Sequence, residues 1–132
     1  MQITRQADYA LRAMLYLVRH EPERSTPTNK IADTQKIPPS FLAKIISQLS
    51  VAGLIHTSRG AHGGVALARP PEKISVLEVV EAIDGPIKLN ECTLNPDICT
   101  FGDQCPIHDV WCESQSELVE RLRTTNFASF VA

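Results

Sequence analysis

The glycine-rich stretch SRGAHGGVALARP, residues 58–70, constrains the fold more than any other part of the chain. Apolar residues alternate with small or polar ones along it, which is the pattern of a half-buried strand. Its three glycines favour a tight turn, because glycine adopts positive φ without steric cost. The stretch therefore predicts a β-hairpin over residues 54–69, with Arg59 and His62 near its tip.

Three helices are predicted before this hairpin. Apolar residues recur at helical spacing over residues 4–19, and a short helix over residues 28–34 is expected to use Thr28 as its N-cap. Proline suits the first helical turn, so a third helix is predicted over residues 39–52, ending before Gly53. This order of three helices and a hairpin is typical of a winged helix-turn-helix, whose second helix of the pair enters the major groove of DNA.

Polar side chains on the third helix and the hairpin are the candidate DNA contacts. Ser40 and Lys44 lie on the side of the helix opposite its apolar stripe, and Gln48 lies near the edge of that side. Arg59 and His62 would reach a phosphate or the minor groove from the hairpin, which forms the wing. Together these five residues are the predicted DNA-binding set.

Two plainer interpretations compete with DNA binding: a structural or protein-binding helix-turn-helix, and a hairpin that is only a turn. The distribution of charge favours DNA binding over both. Residues 1–70 carry 9 Lys and Arg against 4 Asp and Glu, whereas residues 71–132 carry 4 against 11. The net charge of −2 hides this asymmetry. The first half of the chain can therefore meet a polyanion.

The second half of the chain predicts two further helices. Ser75 and Glu78 have the spacing of a capping box, which would begin a helix ending at Ile83. A last helix is predicted over residues 106–126, and its apolar stripe requires a partner surface. The fold class is thus mainly α with a small β-hairpin. Its predicted parts are a winged helix-turn-helix over residues 1–85, a cysteine-bearing loop over residues 86–105, and a dimerisation helix with a C-terminal tail over residues 106–132.

All four cysteines lie within one window of 21 residues. The N-terminus lacks the pattern of a secretory leader, and no apolar run approaches the ~20 residues of a membrane span, so the expected location is the cytoplasm. In a reducing compartment such a group of cysteines more often binds metal or acts in redox chemistry than forms disulfides. The four residues are Cys92, Cys99, Cys105 and Cys112.

The residues alone leave several functions open for this cysteine window. Thiolates are soft ligands that suit an iron–sulfur cluster. Structural zinc usually takes cysteines two to four residues apart, and the first two gaps here are longer, at six and five residues. A metal-free thiol switch and a window without a sensing role are also compatible with the spacing. The chain has no C-x-x-C pair and no nucleotide-binding glycine motif, so we do not expect an enzyme.

Four segments together resemble the Rrf-two family of bacterial winged-helix regulators: ADYALRAMLYLV, FLAKIISQLSVAGLI, SRGAHGGVALARPPEKISVLEVVEAIDGPI and the cysteine window. The resemblance covers nearly the whole chain. It implies a homodimer that binds a pseudo-palindromic operator in double-stranded DNA, with residues 106–126 pairing the subunits. Members that read DNA through an acidic or amide side chain early in the recognition helix carry it where this chain has Ala43. The resemblance therefore implies no particular operator sequence.

The same resemblance implies an iron–sulfur cluster, either 2Fe–2S or 4Fe–4S, held by Cys92, Cys99 and Cys105. The candidates for the fourth ligand are His108, as in IscR-like members, Asp8, as in NsrR-like members, and Cys112. Each candidate also has a simpler interpretation: an ion pair between Asp8 and Arg12, an exposed histidine, and a thiol packed in the last helix.

The sequence thus predicts a regulator that senses redox state, nitric oxide or iron supply through this cluster. The alternative is a metal-free winged-helix regulator controlled by its cysteine thiols or by a protein partner.

Overall fold

The computed structural model describes residues 2–20, 24–60, 63–93, 101 and 104–131. It contains the predicted succession of helices around one two-stranded antiparallel hairpin, so the predicted fold class is confirmed. The helices and strands are α1 (Arg5–His20), α2 (Thr28–Gln35), α3 (Pro39–Val51), β1 (Ile55–Ser58), β2 (Gly64–Leu67), α4 (Val76–Asp84) and α5 (Pro106–Thr124). Short 3-10 turns lie at Pro71–Lys73, Glu91–Thr93 and Phe127–Phe130.

Helix α1 lies at the centre of the main core. Its buried face, which includes Ala10, Met14 and Leu17, packs against α3, α4 and the last 3-10 turn. Leu42, Ile45 and the other buried residues of α3 belong to the same cluster. The spacing of apolar residues in both helices places one stripe of each in this core.

The turn between α2 and α3 is short, and a residue in the left-handed backbone conformation begins it. Lys36 ends α2 in the left-handed conformation, with φ of 55°.

The N-cap of α2 is Pro27, and Thr28 is the first helical residue, so the predicted Thr28 cap is wrong. Because the Pro27 carbonyl accepts the first backbone hydrogen bonds, from Lys30 and Ile31, the residue before Thr28 holds the cap position.

The hairpin pairs Ile55 with Leu67 and Ser58 with Gly64. A third segment joins it, because the backbone of Thr26 exchanges two hydrogen bonds of 2.8 Å with that of Val65. A Cβ at Gly64 would lie 2.3 Å from the Thr26 carbonyl oxygen. Gly64 is therefore needed for close approach of this segment as well as for its φ of +149°.

Helix α4 begins with the predicted capping box. Ser75 Oγ accepts a hydrogen bond from the Glu78 backbone at 3.0 Å, and Glu78 Oε1 lies 3.4 Å from the Ser75 backbone nitrogen. Arg69, just after β2, reaches the other carboxylate oxygen of Glu78. The end of the wing is thus attached to the start of α4.

Helix α5 ends two residues before the predicted boundary, because the chain turns back onto the core. The Thr125 carbonyl accepts from the Val76 backbone at 2.9 Å, and the Phe127 backbone donates to Ile74 at 3.0 Å. Phe127 is buried, and its ring meets Phe130 edge to face. These contacts hold the last turn against the start of α4.

The second half of α5 packs on the apolar core among the residues described. Leu118, Val119 and Leu122 contact the small apolar cluster that α4 forms with Ile87. In contrast, Ile107, Val110 and Trp111 are exposed.

No helix in the described ranges has the length and apolar character that crossing a membrane requires.

Candidate DNA interface and cysteine site

The exposed face of α3 carries two of its three predicted contact residues. Ser40 and Lys44 are exposed, as expected for side chains opposite the buried stripe. Gln48 is half-buried, and its Oε1 is shielded from solvent without a hydrogen-bond partner in the described residues. Ser40 and Lys44 are therefore accessible to DNA as they stand, whereas Oε1 of Gln48 is not.

Two apolar side chains on α3 are also exposed, and the sequence reasoning did not single them out. Phe41 is 42% exposed on the first turn, and Val51 is 88% exposed at the last residue. The Phe41 ring leans on the Tyr9 ring of α1, with 6.2 Å between centroids and 55° between planes. Helical periodicity could have predicted that Phe41 is exposed, because Phe41 lies to one side of the stripe formed by the buried residues of α3.

The wing presents Arg59 directly after β1. Arg59 is exposed, and Gly60 beside it has φ of +101° with open space around its Cα. This geometry confirms the expected tight turn at Gly60. His62 lies outside the described residues, so only Arg59 of the two predicted wing contacts has a described position.

Asp8 and Arg12 form the predicted i,i+4 ion pair on α1. Arg12 Nη2 lies 2.9 Å from Asp8 Oδ2, and both side chains are about half exposed. The Arg12 guanidinium carbon also lies 5.6 Å from the centre of the Tyr9 ring. Asp8 therefore already has a charged partner within its own chain.

The described cysteines lie around the start of α5. Cys92 is on the 3-10 turn Glu91–Thr93, which contacts α5. The Leu89 backbone, just before this turn, donates to Gln115 Oε1 of α5 at 2.9 Å. Cys105 is the N-cap residue of α5, while Cys99 lies outside the described residues. The two ends of the cysteine loop are thus both attached to one helix.

His108 and Cys112 face each other one turn apart on α5. Cys112 Sγ lies 3.4 Å from His108 Nε2. The other ring nitrogen, His108 Nδ1, is buried and has no hydrogen-bond partner among the residues described. Those residues contain no group of three or more His, Cys, Asp or Glu side chains close enough to hold a metal ion. Cys99 is not among the described residues, so the complete predicted ligand set has no described geometry.

Comparison with known proteins identifies the family. The Rrf2 family model, described as an iron-dependent transcriptional regulator, matches residues 3–132. The regulator NsrR of Shouchella clausii is 32% identical, over 92% of this chain and 83% of its own. The regulator IscR of Xenorhabdus nematophila is 30% identical, over 99% of this chain and 79% of its own. A solved structure of CymR, the global cysteine regulator of B. subtilis, superimposes with a TM-score of 0.83 at 26% identity, covering 100% of this chain and 99% of its own.

These relatives and the structural neighbour are transcriptional regulators, which agrees with the expectation that the chain is not an enzyme. The match to the family model extends from α1 to the C-terminal turn, and it includes the wing and the cysteine window. The chain belongs to the Rrf2 family of winged-helix transcriptional regulators.

Proposed function

We propose that this protein is a homodimeric regulator that binds a pseudo-palindromic operator and responds to redox state, nitric oxide or iron supply. Residues 1–85 would bind DNA, residues 86–105 would carry ligands of an iron–sulfur cluster, and residues 106–132 would pair the subunits. The observation that carries the DNA-binding part is the exposed polar face of α3 beside a wing with exposed Arg59. Such a regulator would act in the cytoplasm.

Lys44 and Arg59 supply cationic groups on the two elements that would contact DNA, and Ser40 adds a hydrogen-bonding hydroxyl. Phosphate contacts fix the position of a winged helix on the duplex, and contacts to base edges give sequence specificity. We assign Lys44 and Arg59 to phosphate or groove contacts, with Ser40 and Gln48 as candidates for base edges. His62 is kept as a wing contact from its position in the sequence.

The exposed half of α5 supports the homodimer. No residue of this 19-residue helix is fully buried, and Val110 is 47% exposed and Trp111 36%. An apolar stripe that continues past the core is typical of a helix with a partner. A second copy of the same helix is the partner we propose, because a two-fold dimer matches a palindromic operator.

The residues around the start of α5 fit an iron–sulfur cluster. Cys92 and Cys105 would be two of its thiolate ligands, and Cys99 would be the third. His108 Nδ1, a buried nitrogen without a described partner, lies one turn into the helix that Cys105 caps. When bound, the cluster would supply a centre that reacts with oxidants and nitric oxide. The description of the family as iron-dependent supports this assignment.

The chain offers a route from these ligands to the wing. Cys105 caps α5, and the far end of α5 continues into Thr125, whose carbonyl accepts from Val76 at the start of α4. Glu78 in the same turn of α4 pairs with Arg69 at the end of the wing. A displacement of α5 would therefore reach the wing through the cap of α4.

The fourth ligand is testable with single variants. Among the three candidates, His108 is favoured by its unpartnered Nδ1, whereas Asp8 is paired with Arg12 and Cys112 contacts His108. We expect His108→Ala to change the visible spectrum of the iron-loaded protein, and Asp8→Ala and Cys112→Ala to leave it unchanged. A changed spectrum in Asp8→Ala alone would reassign the ligand to Asp8, which a partner subunit would then contribute.

A metal-free thiol regulator is the second candidate function. Cys112 Sγ lies 3.4 Å from His108 Nε2, and both residues belong to the same chain, so this contact needs no partner subunit. The contact favours a use of these cysteines as thiols. The likeness to CymR, a global cysteine regulator that matches along the whole chain, fits this candidate as well.

Metal analysis distinguishes the two candidates. Iron, acid-labile sulfide and zinc are measured per chain on protein purified without oxygen. The proposal predicts equal amounts of iron and sulfide, with broad visible absorption. Zinc alone would make the cysteine site structural, and the absence of both metals would favour the thiol regulator.

A further inference from the structure

Phe41 is a large apolar side chain in a place where a DNA-binding helix usually presents polar ones. It is the third residue of α3 and is 42% exposed, with Ser40 and Lys44 exposed beside it. The N-terminal residues of a recognition helix are the ones that meet base edges in the major groove. The position of Phe41 therefore matters for what α3 can read.

The Tyr9 ring of α1 supports the Phe41 ring. The Tyr9 ring lies 6.2 Å away at an angle of 55°, and Tyr9 itself is buried in the main core. Arg12 lies over the Tyr9 ring, with its guanidinium carbon 5.6 Å from the ring centre. This support limits where the Phe41 ring can go, and 42% of the residue remains exposed.

The major groove offers such a ring one kind of apolar partner. Each base pair presents hydrogen-bond donors and acceptors there, and thymine alone also presents a methyl group, at C5. A phenyl ring has no hydrogen-bonding group for the other edges. Removing a methyl group from water into an apolar contact is favourable by an amount that corresponds to about a fourfold change in affinity.

We propose that Phe41 is a specificity-determining residue that recognises a thymine methyl group in each half-site of the operator. The assignment rests on the proposed DNA-binding function and adds to it a base preference on α3. It compensates for Ala43, which offers no hydrogen-bonding side chain two residues further along the same helix.

The test uses the full-length protein and an operator selected by it from random duplexes. Each thymine of that operator is replaced in turn by deoxyuridine, which differs only by lacking the methyl group, and Kd is measured by fluorescence anisotropy. We expect one thymine in each half-site at which the replacement weakens wild-type binding about fourfold per half-site. Phe41→Ala should bind the thymine and deoxyuridine duplexes equally well.

Val51→Ala is the matched control, because Val51 is apolar and exposed on the same helix but lies at its C-terminal end. It should keep the wild-type preference for thymine. If Phe41→Ala does not fold, Phe41→Gln replaces it, because glutamine keeps a long side chain but ends in a polar amide. Loss of the thymine preference in Phe41→Gln would support the assignment, and an unchanged preference would overturn it.

Two results would overturn the inference. One is a wild-type protein that binds its operator but tolerates deoxyuridine at every position, and the other is a Phe41→Ala protein that still prefers thymine. Failure of the proposed function looks different, because wild-type protein would then select no operator and show no salt-dependent binding to any duplex.

Discussion

Arg69 Nη1 lies 2.5 Å from Glu78 Oε2, which attaches the end of the wing to the first turn of α4. The other oxygen of the same carboxylate takes part in the capping box with Ser75. The backbone of Ser75 also bridges to Asn126, after α5. The N-terminus of α4 is therefore the point where the wing and the chain following α5 meet.

The capping box should contribute more to stability than the ion pair. Ser75→Ala removes the side chain that accepts from the Glu78 backbone, and we expect the free energy of unfolding to fall by about 1 kcal/mol. Glu78→Gln removes the charge but keeps the residue type of a capping box, and the ion pair is partly exposed, so its loss should cost less. Urea unfolding at fixed protein concentration compares the two. A larger loss for Glu78→Gln would contradict this ranking.

Two wing glycines should respond differently to alanine. In Gly60→Ala the new Cβ meets open space, so only the positive φ carries a penalty, about 1–3 kcal/mol. Gly64→Ala adds an overlap with the Thr26 carbonyl oxygen and should destabilise the fold further. Thermal unfolding of both variants tests the difference, and equal midpoints would show that the Thr26 segment can move away without cost.

Lys44→Ala and Arg59→Ala should weaken operator binding and reduce its dependence on salt. Removal of one cation from a DNA phosphate should lower the slope of log K against log salt by about 0.9. Arg123→Ala is the control, because Arg123 is exposed on α5 and already paired with Glu120. Anisotropy titrations over a range of salt give the slopes. An unchanged slope in Lys44→Ala and Arg59→Ala would remove both residues from the interface.

A charge on the uncovered stripe of α5 should separate the proposed dimer. Val110→Glu places a carboxylate among exposed apolar residues, whereas Ser116→Glu adds the same group to the opposite side of the helix by its periodicity. Sedimentation equilibrium should find a monomer for Val110→Glu and a dimer for Ser116→Glu. Dimers of equal strength in both variants would place the interface elsewhere.

Much of the fold was predictable from local patterns. The spacing of apolar residues predicted α1 and α3, alternation with glycines predicted the wing, and the Ser75–Glu78 spacing predicted the cap of α4. Features that depend on distant parts of the chain were missed. The pairing of Thr26 with Val65 depends on close approach at Gly64, which no local pattern reveals.

In the candidate sites, too, local spacing predicted some features and distant parts of the chain determine the others. The i,i+4 spacing was sufficient to predict the Asp8–Arg12 ion pair, and the same spacing brings His108 and Cys112 together. The contact between the Phe41 and Tyr9 rings depends on how α3 packs on α1, and the burial of Gln48 Oε1 depends on packing around α3. Tertiary packing decides such matters, so helical periodicity alone could not predict them.

Control of DNA binding by the cluster is tested most directly by the operator affinity of one anaerobic preparation before and after its iron is removed with a chelator. We predict that the two Kd values differ by about tenfold or more, a typical coupling between a ligand site and a DNA site. Reloading iron and sulfide should restore the first value. Cys92→Ala, which lacks a proposed cluster ligand, should show a single affinity under both conditions. Equal affinity of the wild-type protein with and without its iron would contradict control of DNA binding by a cluster.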